Sequence, residues 1–320
     1  MHVFHRRFVF VAALALVAAA AAGQAAVAAH RHIVIRNIGV FPGDMAVGFR
    51  SVWVSDHRGG TLIRLSRKNK VRHVEIGESV CSFPAIGGGR LWVWGCDSSQ
   101  TYEVDPVRMK VVARRKGVAP VFGAGSLWTM DPNGKILRID PKSGVVLARI
   151  DPQTDDLPNG GPDGVWGNSL WVSGDSSVSR IDVNTNKVSA VIPLPNAQPS
   201  GDKPGGYLYA NYGVLAYGTF WTSNAAGMYA IDTATNSARQ LGIKIKPLSQ
   251  GGDVQVVAGA GSVWVRISNR KIARIDPKTG KETGTYPAAA AGGGGGIAVA
   301  FRSLWVANGG LGNVWRTRVH

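Results

Sequence analysis

One tryptophan recurs seven times along this chain. Trp53, Trp92, Trp128, Trp171, Trp221, Trp264 and Trp305 stand in the related strings SVWVSD, RLWVWG, SLWTMD, SLWVSG, TFWTSN, SVWVRI and SLWVAN, at spacings of 39, 36, 43, 50, 43 and 41 residues. Self-similarity at such a period marks stacked supersecondary units, each burying its apolar face against the next. Ahead of most of these tryptophans lies an apolar run and a Gly-containing turn, as in Val121 to Ser126 and Val257 to Ser262. Eleven to thirteen residues beyond them comes a second mark, Val104-Asp105-Pro106, Ile139-Asp140-Pro141, Ile181-Asp182-Val183, Ile231-Asp232-Thr233 and Ile275-Asp276-Pro277.

The second mark has a mechanical reading, because an Asp at a strand end accepts backbone N–H bonds from the turn that follows. Four residues on, Gly144, Gly280, Asn186 and Asn236 suit a positive-φ position. Met109 breaks that pattern, and the second repeat is expected to turn differently. Each repeat then reads as four strands: a before the Gly turn, b carrying the tryptophan, c ending in Asp, and d. Seven such units predict an all-β, seven-bladed β-propeller of four-stranded blades. The seventh repeat runs out after strand c, while the run Ile33 to Ile38 is a spare strand. That N-terminal strand is expected to complete the last blade and remove an exposed edge.

A residue recurring on strand b of every blade points into the contact between blades. The tryptophan row therefore reads as core, each ring worth on the order of 5 kcal/mol at most from about 200 Å² of buried surface. Trp94, Trp166 and Trp315 lie off this register. Trp166, just after Gly-Pro-Asp-Gly at the head of an inner strand, is the one placed to touch a ligand.

Residues 1–29 have the form of a secretory signal: His5-Arg6-Arg7, an apolar run from Phe8 to Ala22, and the small residues Ala26-Val27-Ala28. A membrane anchor is the competing reading, but the unbroken apolar stretch falls short of the roughly 20 residues a span needs. Residues 30–320 are then one propeller domain, secreted or periplasmic. The only cysteines, Cys81 and Cys96, suit a disulfide in that compartment. A two-residue turn at Gly88-Gly89 pairs residues whose numbers sum to 177, a sum these two cysteines satisfy. A reduced, buried pair is the alternative.

The strings G-x-G-S-[LV]-W-V and R-I-D-P-K-[ST]-G resemble the bacterial streptogramin (virginiamycin B) lyase-like and YVTN-type seven-bladed propellers over essentially the whole mature chain. The resemblance implies a fold more than an activity. In those lyases it implies chemistry by His and Glu residues of the later blades with a magnesium ion. Here no His occurs between His73 and His320, and the only Glu after Glu103 is Glu282, so no general base carries over.

Propeller ligands meet the face built by the d to a and b to c loops, and two of those loops are long. Asp151 to Asp163 carries Asp155, Asp156 and Asp163, which with Asp175 could gather around a hard cation, calcium or magnesium. A solvated acidic loop is the simpler account of them. Leu194 to Tyr212 carries Tyr207, Tyr209, Asn211 and Tyr212, an aromatic and amide set suited to a peptide or saccharide. Asp44, Asp163 and Asp253 lie near the starts of inner strands, and paired carboxylates there are the weak candidates for catalysis by a lyase or hydrolase. Asp56, Asp131, Asn224 and Asn308 follow their tryptophans by three residues and read as caps of the b to c turn. His57 reads as a surface histidine.

The net charge is +16, unevenly spread: residues 58–116 hold 12 Lys and Arg against 5 Asp and Glu, and 261–320 hold 9 against 2, whereas 151–260 hold 6 against 9. Once the ring closes, blades 6, 7, 1 and 2 form a basic arc suited to an anionic polymer or lipid head groups. No DNA-reading motif is present, so specific DNA recognition is not expected. The sequence therefore points to a monomeric binding or scaffold module of the bacterial envelope, with an envelope protein, peptide or saccharide as partner, and a channel-mouth enzyme as the alternative.

Overall fold

The computed structural model describes residues 32–81, 83–154, 161–197, 211–224, 226–246, 254–288 and 295–319. Residues 1–31, with the proposed signal, lie outside them. Seven sheets of antiparallel blade strands follow one another along the chain, each carrying one tryptophan of the row on the second strand of its blade. The first strands run Pro42–Gly48, Ala85–Gly87, Val118–Gly123, Gly161–Trp166, Val214–Ala216, Val254–Gly259 and Ile297–Ala300. They define blades 1 to 7 and surround a central channel.

All seven row tryptophans are buried, with at most 1% of their surface exposed. Each sits on the next blade: Trp53 clusters with Leu91 and Val93 of blade 2, and Trp305 of blade 7 clusters with Met45 and Val52 of blade 1. The row therefore closes on itself. The indole N–H groups of Trp53, Trp92, Trp128, Trp221, Trp264 and Trp305 are satisfied locally, Trp264 Nε1 donating to the Gly259 carbonyl at 2.9 Å. A second seal is His32–Ile35, which pairs antiparallel with Asn313–Arg318 and completes blade 7. This strand is shorter than the sequence reading, because Asn37 turns the chain with φ 52°. Ile38 then donates its N–H to the Gly312 carbonyl at 3.1 Å.

The c to d turns behave as read. Asp140 Oδ1 accepts the N–H groups of Lys142 and Ser143, and Asp182 Oδ1 those of Asn184 and Thr185. Backbone donors hold Asp105, Asp140, Asp182 and Asp232 below the ordinary carboxylate range. Met109 corrects one expectation. It takes the same left-handed conformation, φ 55°, as Asn186 at 57° and Gly144 at 76°. Its N–H also makes the same bond to the Asp four residues before, 2.9 Å to the Asp105 carbonyl. The hydrogen-bonded ring and the Asp bonds impose the conformation, and Met bears the strain.

Cys81 and Cys96 form a disulfide, with their Cα atoms 5.2 Å apart. The hairpin register around Gly88-Gly89 is the expected one, with Ala85 opposite Trp92. Beyond Pro84 it slips by two residues, so that Val80 faces Gly95. The cysteines are close neighbours across that slipped pair, not direct partners of the hairpin register.

Candidate functional site

Three inner strands are not regular: register shifts interrupt the pairing at Gly43-Asp44 in blade 1, Ala119-Pro120 in blade 3 and Asp163 in blade 4. A bulge re-aims the side chain of the extra residue. In blade 4 it places Asp163 on a cavity of about 290 Å³ in the channel. The wall is mostly apolar, built from Met45, Pro84, Ala85, Val121, Pro162 and Val256. Aromatic rings enter from Phe83, Trp166 and Tyr212, and polar groups from Asp163 and Gln255.

Asp163 keeps part of its surface open to the cavity but is surrounded by the ring. Its Oδ1 accepts the Gly213 N–H at 2.5 Å and its Oδ2 the Ser173 N–H at 2.8 Å. Burial pushes its carboxyl up to about 7, and the two backbone donors restrain the rise. Gln255 spans three blades: its Nε2 donates to the Met45 carbonyl at 3.0 Å and its Oε1 accepts the Ile297 N–H at 2.8 Å. Asn211–Tyr212 adds a short parallel strand to blade 6, with Tyr212 opposite Gln255. From there the Tyr212 ring meets Phe83 of blade 2 edge to face, 4.0 Å between centroids. The two lie in opposite sectors of the ring, so the contact crosses the channel. Trp166 packs edge to face on Phe220, 5.9 Å away.

The ligand candidates Trp166 and Tyr212 are thus brought to one cavity. Tyr207 and Tyr209 lie outside the described residues, and only the backbone of Asn211 is described. Phe83 and Gln255 were not singled out by sequence reasoning, since neither belongs to a repeated mark. An irregular Phe-Pro entering a short inner strand was the available signal for Phe83.

Asp44, also at a bulge, is buried, and its Oδ2 lies 3.1 Å from His57 Nε2 in the first b to c loop. His57 is therefore not an isolated surface histidine: a buried carboxylate orients its ring, which keeps 28% of its surface exposed. Asp253, Asp155 and Asp156 lie outside the described residues. Asp175 is buried, and its carbonyl accepts a bond from Asn224 Nδ2 at 2.8 Å. Asp151 is held by Lys135 at 2.5 Å. Among the described residues no group of three or more His, Cys, Asp or Glu stands ready to hold a metal ion. The cavity's own donors, Asp163 and Gln255, are already engaged with backbone, so the described residues do not fit the magnesium that the resemblance implies. Asp56, Asp131 and Asn224 cap their b to c turns, Asp56 taking the N–H groups of Val40, Phe41 and Gly59.

No family model matches the chain, and no curated protein does. Solved structures do. Virginiamycin B lyase from Staphylococcus aureus superimposes with a TM-score of 0.68 at 16% identity, over 91% of this chain and 99% of that one. Hydrazine synthase of Kuenenia stuttgartiensis gives 0.69 at 12% identity, over 88% and 96%. BamB from Moraxella catarrhalis gives 0.58 at 16%, over 88% and 84%. The chain shares their overall propeller fold. At these identities the likeness stops at the fold, and function has to be argued from the site.

An arginine of strand c also recurs around the ring. Arg64, Arg138, Arg180, Arg274 and Arg316 each lie over the tryptophan of their own blade, 4.6–5.5 Å from a ring centre. Each also donates Nε to the first serine of strand b. Arg138, Arg180 and Arg316 also donate Nη1 to a backbone carbonyl of the next blade, at Val183, Thr233 and Arg67, and so tie neighbouring blades together.

Proposed function

We propose that this protein is an exported binding module of the bacterial envelope, secreted or periplasmic, with residues 1–29 as its signal. Its central cavity takes an apolar or aromatic group of a peptide or small ligand. The observation that carries this is the cavity wall: proline, alanine, valine and methionine carbons around, among the described residues, one carboxyl and one amide. Binding pockets of this type combine an apolar body with few oriented polar groups. A saccharide fits less well, because its hydroxyls would be buried with too few partners. A disulfide suits the oxidising compartment. The basic arc of blades 6, 7, 1 and 2 would hold the module against an anionic surface.

The test is a ligand-observed NMR screen of apolar and aromatic peptides against the folded chain, repeated with Val121→Arg, which fills the cavity, and Asp163→Asn. Ligands that lose contact in Val121→Arg support the reading. Ligands that bind all three proteins equally would place the site elsewhere.

The second reading, a lyase or hydrolase at the channel mouth, is favoured by the Asp44 and His57 pair, in which a buried carboxylate orients an imidazole as general bases require. Its mark in the same screen would be product formation lost in His57→Gln and Asp44→Asn with binding retained.

A further inference from the structure

On the opposite face from the d to a loops, the seam between blades 7 and 1 opens a hollow of about 440 Å³. Its lining includes four arginines, Arg67, Arg302, Arg316 and Arg318, with Ser303, Ile33 and Phe301. None of the four is in an ion pair among the described residues. Arg316 is positioned by bonds from Nη1 to the Arg67 carbonyl and Asn69 Oδ1, both 2.8 Å, and from Nε to Ser303 Oγ at 3.1 Å. Those bonds engage Nε and Nη1, and burial and then the neighbouring Arg67 lower its pKa.

A second observation is independent of charge. Arg302 is the second residue of the a to b turn, with φ 52°, and Arg50 occupies the same place in blade 1 with φ 56°. Blades 2, 3, 5 and 6 use Gly89, Gly125, Gly218 and Gly261 there, at φ 69–76°. That conformation is open to glycine and strained for arginine. The turn conformation is shared by both arginines, so it is the crowding that sets the hollow apart: arginines kept only for solubility would be spread over free surface and not gathered in one hollow against mutual repulsion.

We propose that this hollow binds a phosphate-type oxyanion, whose oxygens match the forked donors of the arginines. The proposal deepens the basic-arc reading, on which it rests for the sign of the ligand, by naming one site within the arc. Its test is calorimetric titration of the chain with pyrophosphate at low ionic strength. A doubly substituted Arg67→Ser, Arg302→Gly protein is compared with Arg50→Gly, which removes the same strain and one charge outside the hollow.

Saturable binding by wild type and Arg50→Gly, weakened at least about tenfold in the double variant, supports the site. No saturable binding, or equal binding by all three, overturns it. Flotation with phosphatidylglycerol and phosphatidylcholine vesicles then separates the sources. Phosphatidylglycerol binding that pyrophosphate displaces assigns a lipid head group, and pyrophosphate binding without flotation assigns a soluble phosphate. Flotation that the double variant retains in full leaves the broad arc standing and sinks this site alone.

Discussion

Arg138 of blade 3 reaches across the seam to Asn186 of blade 4, with Nη1 at 2.9 Å from Oδ1, while its guanidinium covers Trp128 of its own blade at 5.1 Å. Arg180 meets Asn236 at 3.2 Å and Arg316 meets Asn69 at 2.8 Å in the same way. The asparagine is in each case the left-handed residue of the neighbour's c to d turn. One side chain thus serves the turn's conformation and the joint between blades.

At the joint of blades 1 and 2 the acceptor is Met109, whose sulfur lies 4.0 Å from Arg64 Nη1. Met109→Asn places a good acceptor there and suits the left-handed conformation. It should stabilise by about 1 kcal/mol, a rise of roughly 2 °C in Tm by calorimetry. Arg138→Ala removes both the ring contact and the bridge, and should cost about 2 kcal/mol or more.

The strained a to b turns give a separate expectation. Arg302→Gly and Arg50→Gly should each stabilise by about 1 kcal/mol, read from denaturant midpoints. The reverse change, Gly261→Arg, forces a φ of 70° on arginine and should destabilise. A loss of stability in both Gly variants would show that the turns are not under strain.

Asp163 couples stability to pH. Its carboxyl is ordinarily near 3.8 and is raised to about 7 in the folded chain, so between these values the folded state binds more protons than the unfolded one. The contribution is therefore fully present below about pH 4 and lost as pH rises through 7. Asp163→Asn should remove this decline from the pH dependence of Tm, and a decline that persists unchanged in the variant would assign it to other groups.

The Cys81 to Cys96 disulfide closes a segment of sequence separation 15. Chain entropy alone assigns such a loop about 3 kcal/mol. The Cys81→Ser, Cys96→Ser double variant, and wild type in reductant, should both melt lower by a matching amount. A reductant effect that survives in the double variant would not come from this bond.

Much of the ring was legible because its devices are local or periodic. The tryptophan row and the strand-end aspartates act through residues close in sequence or repeated at a fixed interval, and the spare N-terminal strand was legible because the last repeat lacks one, although it pairs with Asn313–Arg318 at the far end of the chain. Met109 misled because its residue type conflicts with its turn, and the hydrogen bonds of the turn outweighed that preference. The site was less legible. Phe83 and Tyr212 are 129 positions apart and meet only because blade 2 and the strand added to blade 6 face each other across the channel. His57 looked isolated because Asp44, its partner, is aimed by a bulge that no residue pattern announces.

The sequence by itself determined the number of blades, the burial of seven tryptophans and the strand that closes the ring, since period and hydrophobicity are properties of single segments. Only the tertiary structure decided that Asp163 faces an apolar cavity, that Asp44 holds His57, and that four arginines crowd one seam. Those relationships join residues from different blades or from opposite sides of a bulge. Their geometry comes from ring closure and broken strand register, which a one-dimensional pattern does not encode.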